Sequence, residues 1–194
     1  LIISGDLTLQ GEKKSHEELA EKLEQVENAG ITVVVIPGNH DINNPSAAVY
    51  SGSDRFPAEP TTPNDFVRIY EYGYAEANSR DPNSLSYTYD LGPAMRLLML
   101  DTCQYEPRNR VGGMIKTETY EWIDRQLEDA RDDGVILLPV AHHNLLEESK
   151  VYVDDCTIEH SEELIQKLEG ENIPLFLSGH LHVQHFMRNN SFGI

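Results

Sequence analysis

Residues 32–41 read Thr-Val-Val-Val-Ile-Pro-Gly-Asn-His-Asp. The first five are all β-branched and do not alternate with polar residues, the pattern of a strand buried on both faces. Pro37-Gly38 ends that strand, so Asn39, His40 and Asp41 arrive together at its carboxyl end. Upstream, Leu19, Ala20, Leu23 and Val26 recur at helical spacing, and Gly30 follows them as a stop. Ser15 with Glu18 three residues later predicts a capping box at the start of this helix. Helix, glycine stop, buried strand and polar cluster make one unit of an α/β fold.

The same plan occurs twice more. A helix over about 117–133 places Trp122, Ile123, Leu127 and Ala130 on one face. Gly134 stops it, Val135–Val140 forms the strand, and His142-His143-Asn144 follow. Near Ser161 a third helix begins, with Leu164, Ile165 and Leu168 inward. Gly170, a strand over 173–177 and Ser178-Gly179-His180-Leu181-His182 complete the unit. Two further strands, 1–3 and 96–100, end in Gly5-Asp6 and Asp101. Ligand sites of layered α/β proteins gather at the carboxyl ends of strands. Asp6, Asn39, Asp101, His142, His180 and His182 are therefore predicted to be neighbours in space. Between about 43 and 86 the pattern gives way to Pro, Asn, Ser and aromatic residues, read as an ordered insertion or cap. It holds a helix over 65–74 and packs Phe56, Phe66, Tyr70, Tyr72 and Tyr74. Ser86–Leu91 then pairs through a Gly92-Pro93 turn with the strand at Arg96.

Composition narrows the function. The chain has 194 residues, 15 Lys+Arg against 33 Asp+Glu, and a formal net charge of −18. Extended nucleic-acid binding rests on basic patches, so no long polyanion footprint is expected. A small anionic substrate is compatible with the charge, because bound cations reverse the field locally. No apolar run is long enough to span a bilayer. Cys103 and Cys156 are too few for a zinc ribbon or a disulfide framework and leave the compartment open.

Five of the eight histidines (His40, His142, His143, His180 and His182) lie at the predicted strand ends. Together with Asp6 and Asn39 they offer imidazole nitrogens and carboxylate and amide oxygens, a donor set suited to Mn, Fe or Zn. Gly5, Gly38 and Gly179 before the clusters permit sharp turns. If extended, His180 and His182 would point to the same side. His16 and His160, at helix starts, read as surface residues, and His185 as solvent-facing or packed on the sheet. Asp101 reads as a group that supports its loop or the substrate rather than a ligand.

Gly5-Asp6, Gly38-Asn39-His40-Asp41, His142-His143 and Gly179-His180-Leu181-His182 resemble, in order and spacing, the motifs of the calcineurin-like metallophosphoesterases. The longer stretch Ser4-Gly5-Asp6-Leu7-Thr8, with Gly11-Glu12, is similar to a bacterial branch containing class III cyclic-nucleotide phosphodiesterases. The resemblance implies an α/β layered β-sandwich flanked by helices, spanning 1–194, and two divalent metal ions. Asp6 would bridge them. Asn39, His142 and His180 would complete one metal and His182 would serve the other. His40 would protonate the leaving group or stabilise the transition state, with Asp41 orienting its ring, and His143 would be a neighbour of the ligand His142. A hydroxide held between the metals would attack phosphorus in line. A cell-envelope or extracellular setting is implied by the same branch, with the cytoplasm left open.

Two departures from that pattern stand out. The family's first motif, Asp-x-His, is absent: no Asp in the chain has His two residues later. The chain thus reads as a piece, incomplete at its N-terminus and at its C-terminus, with one well-formed metal site. His142-His143-Asn144 also stands where many relatives continue with Pro-Pro. The expected activity is hydrolysis of a small phosphodiester such as a cyclic nucleotide. The alternatives are a phosphomonoesterase or protein phosphatase using the same site, and a non-catalytic metal-binding or interaction domain on this fold.

Overall fold

A computed structural model describes residues 1–147, 155–189 and 192–194. In chain order the elements are β1 (Ile2–Ile3), α1 (Lys13–Asn28), β2 (Val34–Val35), β3 (Ala48–Ser51), β4 (Asp54–Pro57), α2 (Pro63–Ile69), α3 (Glu71–Ala75), β5 (Ser79–Arg80), β6 (Tyr87–Asp90), β7 (Met95–Leu100), β8 (Cys103–Gln104), β9 (Arg110–Gly113), α4 (Thr117–Asp133), β10 (Ile136–Ala141) and α5 (Ser161–Leu168).

The main sheet has strand order β10-β7-β6-β5, with β7 parallel to β10 and antiparallel to β6. Strand β7 divides the core by its period of two. Leu98 and Leu100 face a cluster with Trp122, Ile123 and Leu127 of α4 and Leu164 and Leu168 of α5. Leu97 and Met99 face a second cluster with Val33–Ile36, Phe66, Tyr70 and Leu23. The parallel pair β1-β2 lies within that second layer. Apolar residues on both faces of β7 are what the unbroken run Leu97–Leu100 requires.

Strand β2 is shorter than the β-branched run. Val34 N–H donates to Leu1 O and Ile36 N–H to Ile3 O, so one edge of the run pairs with β1. On the other edge the Tyr87 hydroxyl takes both groups of Val35, accepting from its N–H at 3.1 Å and donating to its carbonyl at 2.8 Å. The expected strand over 173–177 is reduced to single bridges, Val140 with Leu177 and Leu175 with Gly193. Pro174 has no N–H to offer a ladder.

Helix starts also differ from expectation. Helix α1 begins at Lys13 behind Glu12, with no side-chain cap, and Ser15 lies inside it. Tertiary bonds set this start: Lys13 N–H donates to Glu59 O, and the Glu12 carboxylate accepts from the N–H groups of Gln10 and Ala48. The helix expected over 65–74 divides at Tyr70 into α2 and α3, and a Thr62–Asp65 capping box opens α2. Phe66, Tyr70 and Tyr74 are buried as expected, whereas Phe56, on the β3-β4 hairpin, is half exposed.

His16 is the clearest correction. Expected at the surface, it is fully buried. Its Nδ1 accepts from the Tyr70 hydroxyl at 2.7 Å, and its Nε2–H donates to the Asp41 carbonyl at 3.2 Å. The ring thereby joins α1, α2 and the loop after β2. Burial pushes its pKa down from 6.5 to about 4. Between these values the unfolded chain binds a proton that the folded chain does not, so acid removes stability across this window. His16→Gln cannot titrate there. In urea melts, the stability difference between wild type and His16→Gln should shrink as pH falls from neutrality toward 4, and a constant gap would refute the assignment.

Candidate metal centre

Three loops at strand ends meet at one point. The loop after β1 carries Asp6, the loop after β2 carries Asn39 and His40, and the loop after β10 carries His142. The first two pack backbone against backbone. Gly5 has φ +98°, and a Cβ on Gly38 would collide with the Asp6 backbone and carboxylate. Asp6 Oδ1 accepts from His40 N–H at 3.1 Å. Burial raises the Asp6 carboxyl, but the hydrogen bond and charge of His142 and the His40 N–H outweigh it and hold the group at about 2.

Backbone carbonyls determine which ring nitrogens hold hydrogen, since a carbonyl only accepts. His142 Nδ1 lies 2.7 Å from Ser4 O, so Nδ1 carries the hydrogen and Nε2 of the neutral ring has a lone pair. His180 Nε2 lies 2.9 Å from Asp155 O, so Nε2 carries the hydrogen and Nδ1 has the lone pair. The two lone-pair nitrogens face each other at 3.2 Å. Asn39 Oδ1 stands 3.1 Å from His142 Nε2, and Asp6 Oδ2 stands 3.4 Å from it. Asp6 Oδ2, Asn39 Oδ1 and His180 Nδ1 thus gather around His142 Nε2, and with neutral rings none of the four atoms has a hydrogen to share. A cation relieves that repulsion, as does a proton taken up by His142 and shared with Asp6. Two oxygens and two imidazole nitrogens could hold a divalent transition metal.

His143 lies beside this group, and His142, His143 and His180 each have an atom within 4.8 Å of the other two. Its nitrogens are nevertheless committed. Thr102 Oγ1 donates to Nδ1 at 2.8 Å, and Nε2–H donates to Val111 O at 2.8 Å. Burial, then the nearby His142, pushes its pKa down to about 3. His143 is a wall of the site, fixed as a neutral ring. Gly113 makes room for it, because a Cβ there would strike the imidazole.

His182 opens onto a cleft of about 590 Å³ shared with Asp6, His142, His180 and His185. The expected extended His-x-His is not found, for His180 and His182 both have positive φ, +67° and +55°. Period two therefore does not place their rings. His185 is exposed, as is His160. The Asp101 carboxylate is bonded elsewhere. Buried, it accepts from the N–H groups of Leu85 and Cys103 and from the Tyr105 hydroxyl, and so supports loops.

The expected contact of Asp41 with the His40 ring is also replaced. His40 Nδ1–H donates to Leu9 O at 2.7 Å. The Asp41 carboxylate accepts instead from the N–H groups of Leu7, Thr8 and Gly38. Burial pushes this carboxyl up to about 6, with the three N–H groups pulling against it. Sequence reasoning did not find the carbonyls of Ser4, Leu9 and Asp155, or Asn109, whose Nδ2 donates to Asn39 O and Ile42 O. Carbonyls carry no residue signal, and Asn109 stands in a loop without periodicity.

Fold and site together mark a phosphoesterase of the calcineurin type: the chain matches the calcineurin-like phosphoesterase family over residues 1–184 and belongs to it. It is 23% identical over 183 residues to a probable cyclic nucleotide phosphodiesterase of Synechococcus sp., which covers 94% of this chain. The chain spans 57% of that relative's length. Among solved structures it superposes on a dimetal phosphatase from Danio rerio with a TM-score of 0.65, at 14% identity, covering 99% of this chain and 69% of that one. An inferred 5′-nucleotidase from Staphylococcus aureus gives 0.52 at 18% identity, covering 99% of this chain and 38% of that one. At these identities the two structures speak to the fold alone. Among the described residues, no helix is long and apolar enough to cross a membrane.

The two adjacent histidines separate experimentally. In titrations of the metal-free protein with Mn²⁺, His142→Ala should lose affinity by about 10–100-fold. His143→Gln should melt at lower temperature yet keep its Mn²⁺ affinity within about threefold. The reverse pattern would exchange their roles.

Proposed function

We propose that this chain forms the metal-binding core of a phosphoester hydrolase that cleaves a small phosphodiester, such as a cyclic nucleotide. The observation that carries the reading is the gathering of Asp6 Oδ2, Asn39 Oδ1 and His180 Nδ1 around His142 Nε2, with His40 next to Asn39 in the chain. Those four side chains would hold one divalent ion, with Mn, Fe or Zn suited to the donors. Asp6 and His182 border the same cleft and would contribute to a second. Such ions, when bound, neutralise phosphoryl charge and make water nucleophilic near neutral pH.

The remaining steps belong to the chain. Leu9 O holds the His40 ring through Nδ1–H, leaving Nε2 as the atom that, with the ring in its imidazolium form, would hand a proton to the departing oxygen. His142 and His180 keep their lone pairs inward because Ser4 and Asp155 carbonyls hold their outer hydrogens. His143 is fixed by Thr102 and Val111 and packs its ring against those of His142 and His180. The diester preference rests on the Synechococcus relative. A small substrate fits the charge of −18, which disfavours an extended polyanion.

The test is a Mn²⁺-dependent assay on bis-p-nitrophenyl against mono-p-nitrophenyl phosphate. Higher kcat/KM is expected on the diester; preference for the monoester would make the chain a phosphomonoesterase. His40→Ala should lower kcat by about 10²–10⁴-fold with Mn²⁺ uptake unchanged. Asn39→Ala should lower Mn²⁺ affinity. Wild-type protein that binds Mn²⁺ but cleaves neither ester would support the non-catalytic alternative.

A further inference from the structure

We infer that Asp41 is a positioning residue that acts on the metal ligands through the backbone, clasping the Asp6 loop to the Asn39 loop. The inference rests on the metal reading of the site given above.

The side chain is fully buried, and its two oxygens together bond both loops. Oδ2 accepts from Gly38 N–H at 2.8 Å and from Leu7 N–H at 3.2 Å, so one oxygen bridges the residue before Asn39 and the residue after Asp6. Oδ1 accepts from Thr8 N–H at 3.1 Å and from the Thr8 hydroxyl at 3.3 Å. In the opposite direction, Asp6 Oδ1 accepts from His40 N–H. The two loops therefore exchange carboxylate-to-backbone bonds, Asp41 reaching back to residues 7 and 8 and Asp6 reaching forward to residue 40. Backbone contact at Gly5 and Gly38 leaves no side chain between them.

Repulsion gives the clasp its purpose. Asp6 Oδ2 and Asn39 Oδ1 both approach His142 Nε2, and like atoms held together tend to separate when no cation lies between them. Charge-assisted bonds to backbone N–H groups are about twice as strong as neutral ones. A buried carboxylate spanning both loops thus keeps Asp6 and Asn39 at ligand spacing before an ion arrives. The His40 ring bonds Leu9 O and not this carboxylate.

Asp41→Asn separates the clasp from a role on the His40 ring. The amide has one acceptor oxygen in place of two, so part of the clasp is lost while size is kept. Ile123→Ala, a fully buried α4 position in the other core cluster, supplies a destabilised control. Free Mn²⁺ followed by electron paramagnetic resonance should show Asp41→Asn binding about tenfold or more weakly than wild type. Ile123→Ala, though melting lower, should bind as wild type. With aryl phosphodiesters of graded leaving-group acidity, assayed at saturating Mn²⁺, Asp41→Asn should keep the wild-type dependence of kcat on leaving-group pKa. Unchanged Mn²⁺ affinity, an equal loss in Ile123→Ala, or a steeper leaving-group dependence would each overturn the clasp. Wild type that takes up no Mn²⁺ would instead remove the metal reading, and the clasp with it.

Discussion

Three acceptor atoms gathered around a fourth, His142 Nε2, with no hydrogen among them while the rings are neutral, are the constraint on which this molecule is organised. Such an arrangement opposes folding, because charge and lone pairs must be brought together out of water. Each member is accordingly held from behind. Ser4 O and Asp155 O fix the outer nitrogens of His142 and His180, Asn109 holds the Asn39 carbonyl, and the His40 N–H holds Asp6. The sheets supply the distance scale. Parallel pairing of β1 with β2 and of β7 with β10 sends the carboxyl ends of these strands to one side.

Much of this was legible in the residues, for identifiable reasons. Helix α4 has the bounds expected from its apolar spacing and from Gly134, whose left-handed φ ends it. The β6-β7 hairpin followed from alternation and Gly92-Pro93. The polar cluster at the strand ends was legible because few packing tasks place Asp, Asn and His directly after glycine turns, as at Asp6, Asn39 and His180. What spacing could not supply was orientation. Period two placed His180 and His182 on one side of an extended segment, but both adopt left-handed backbone, where that rule has no force.

Tertiary bonds account for the other differences. Ser15 and Glu18 satisfy a local capping rule, yet α1 starts two residues before Ser15, because Glu59, Gln10 and Ala48 meet its first turn. His16 looked like a surface residue beside acidic and basic neighbours. Tyr70, distant in sequence, supplies the partner that makes its burial tolerable. Asp41 is the same lesson inside the site. Adjacency in sequence suggested His40, while three N–H groups from two loops receive its oxygens.

The Tyr87 hydroxyl bonded to both groups of Val35 has a further meaning for association. An unpaired N–H and C=O at a strand edge are the groups through which one chain recruits a strand of another. At Val35 a phenol from the main sheet consumes both, so the strand that delivers Asn39 and His40 cannot be extended on that side by a foreign segment. One hydroxyl group thereby closes the hydrogen-bonding edge at Val35, within a run that is itself buried.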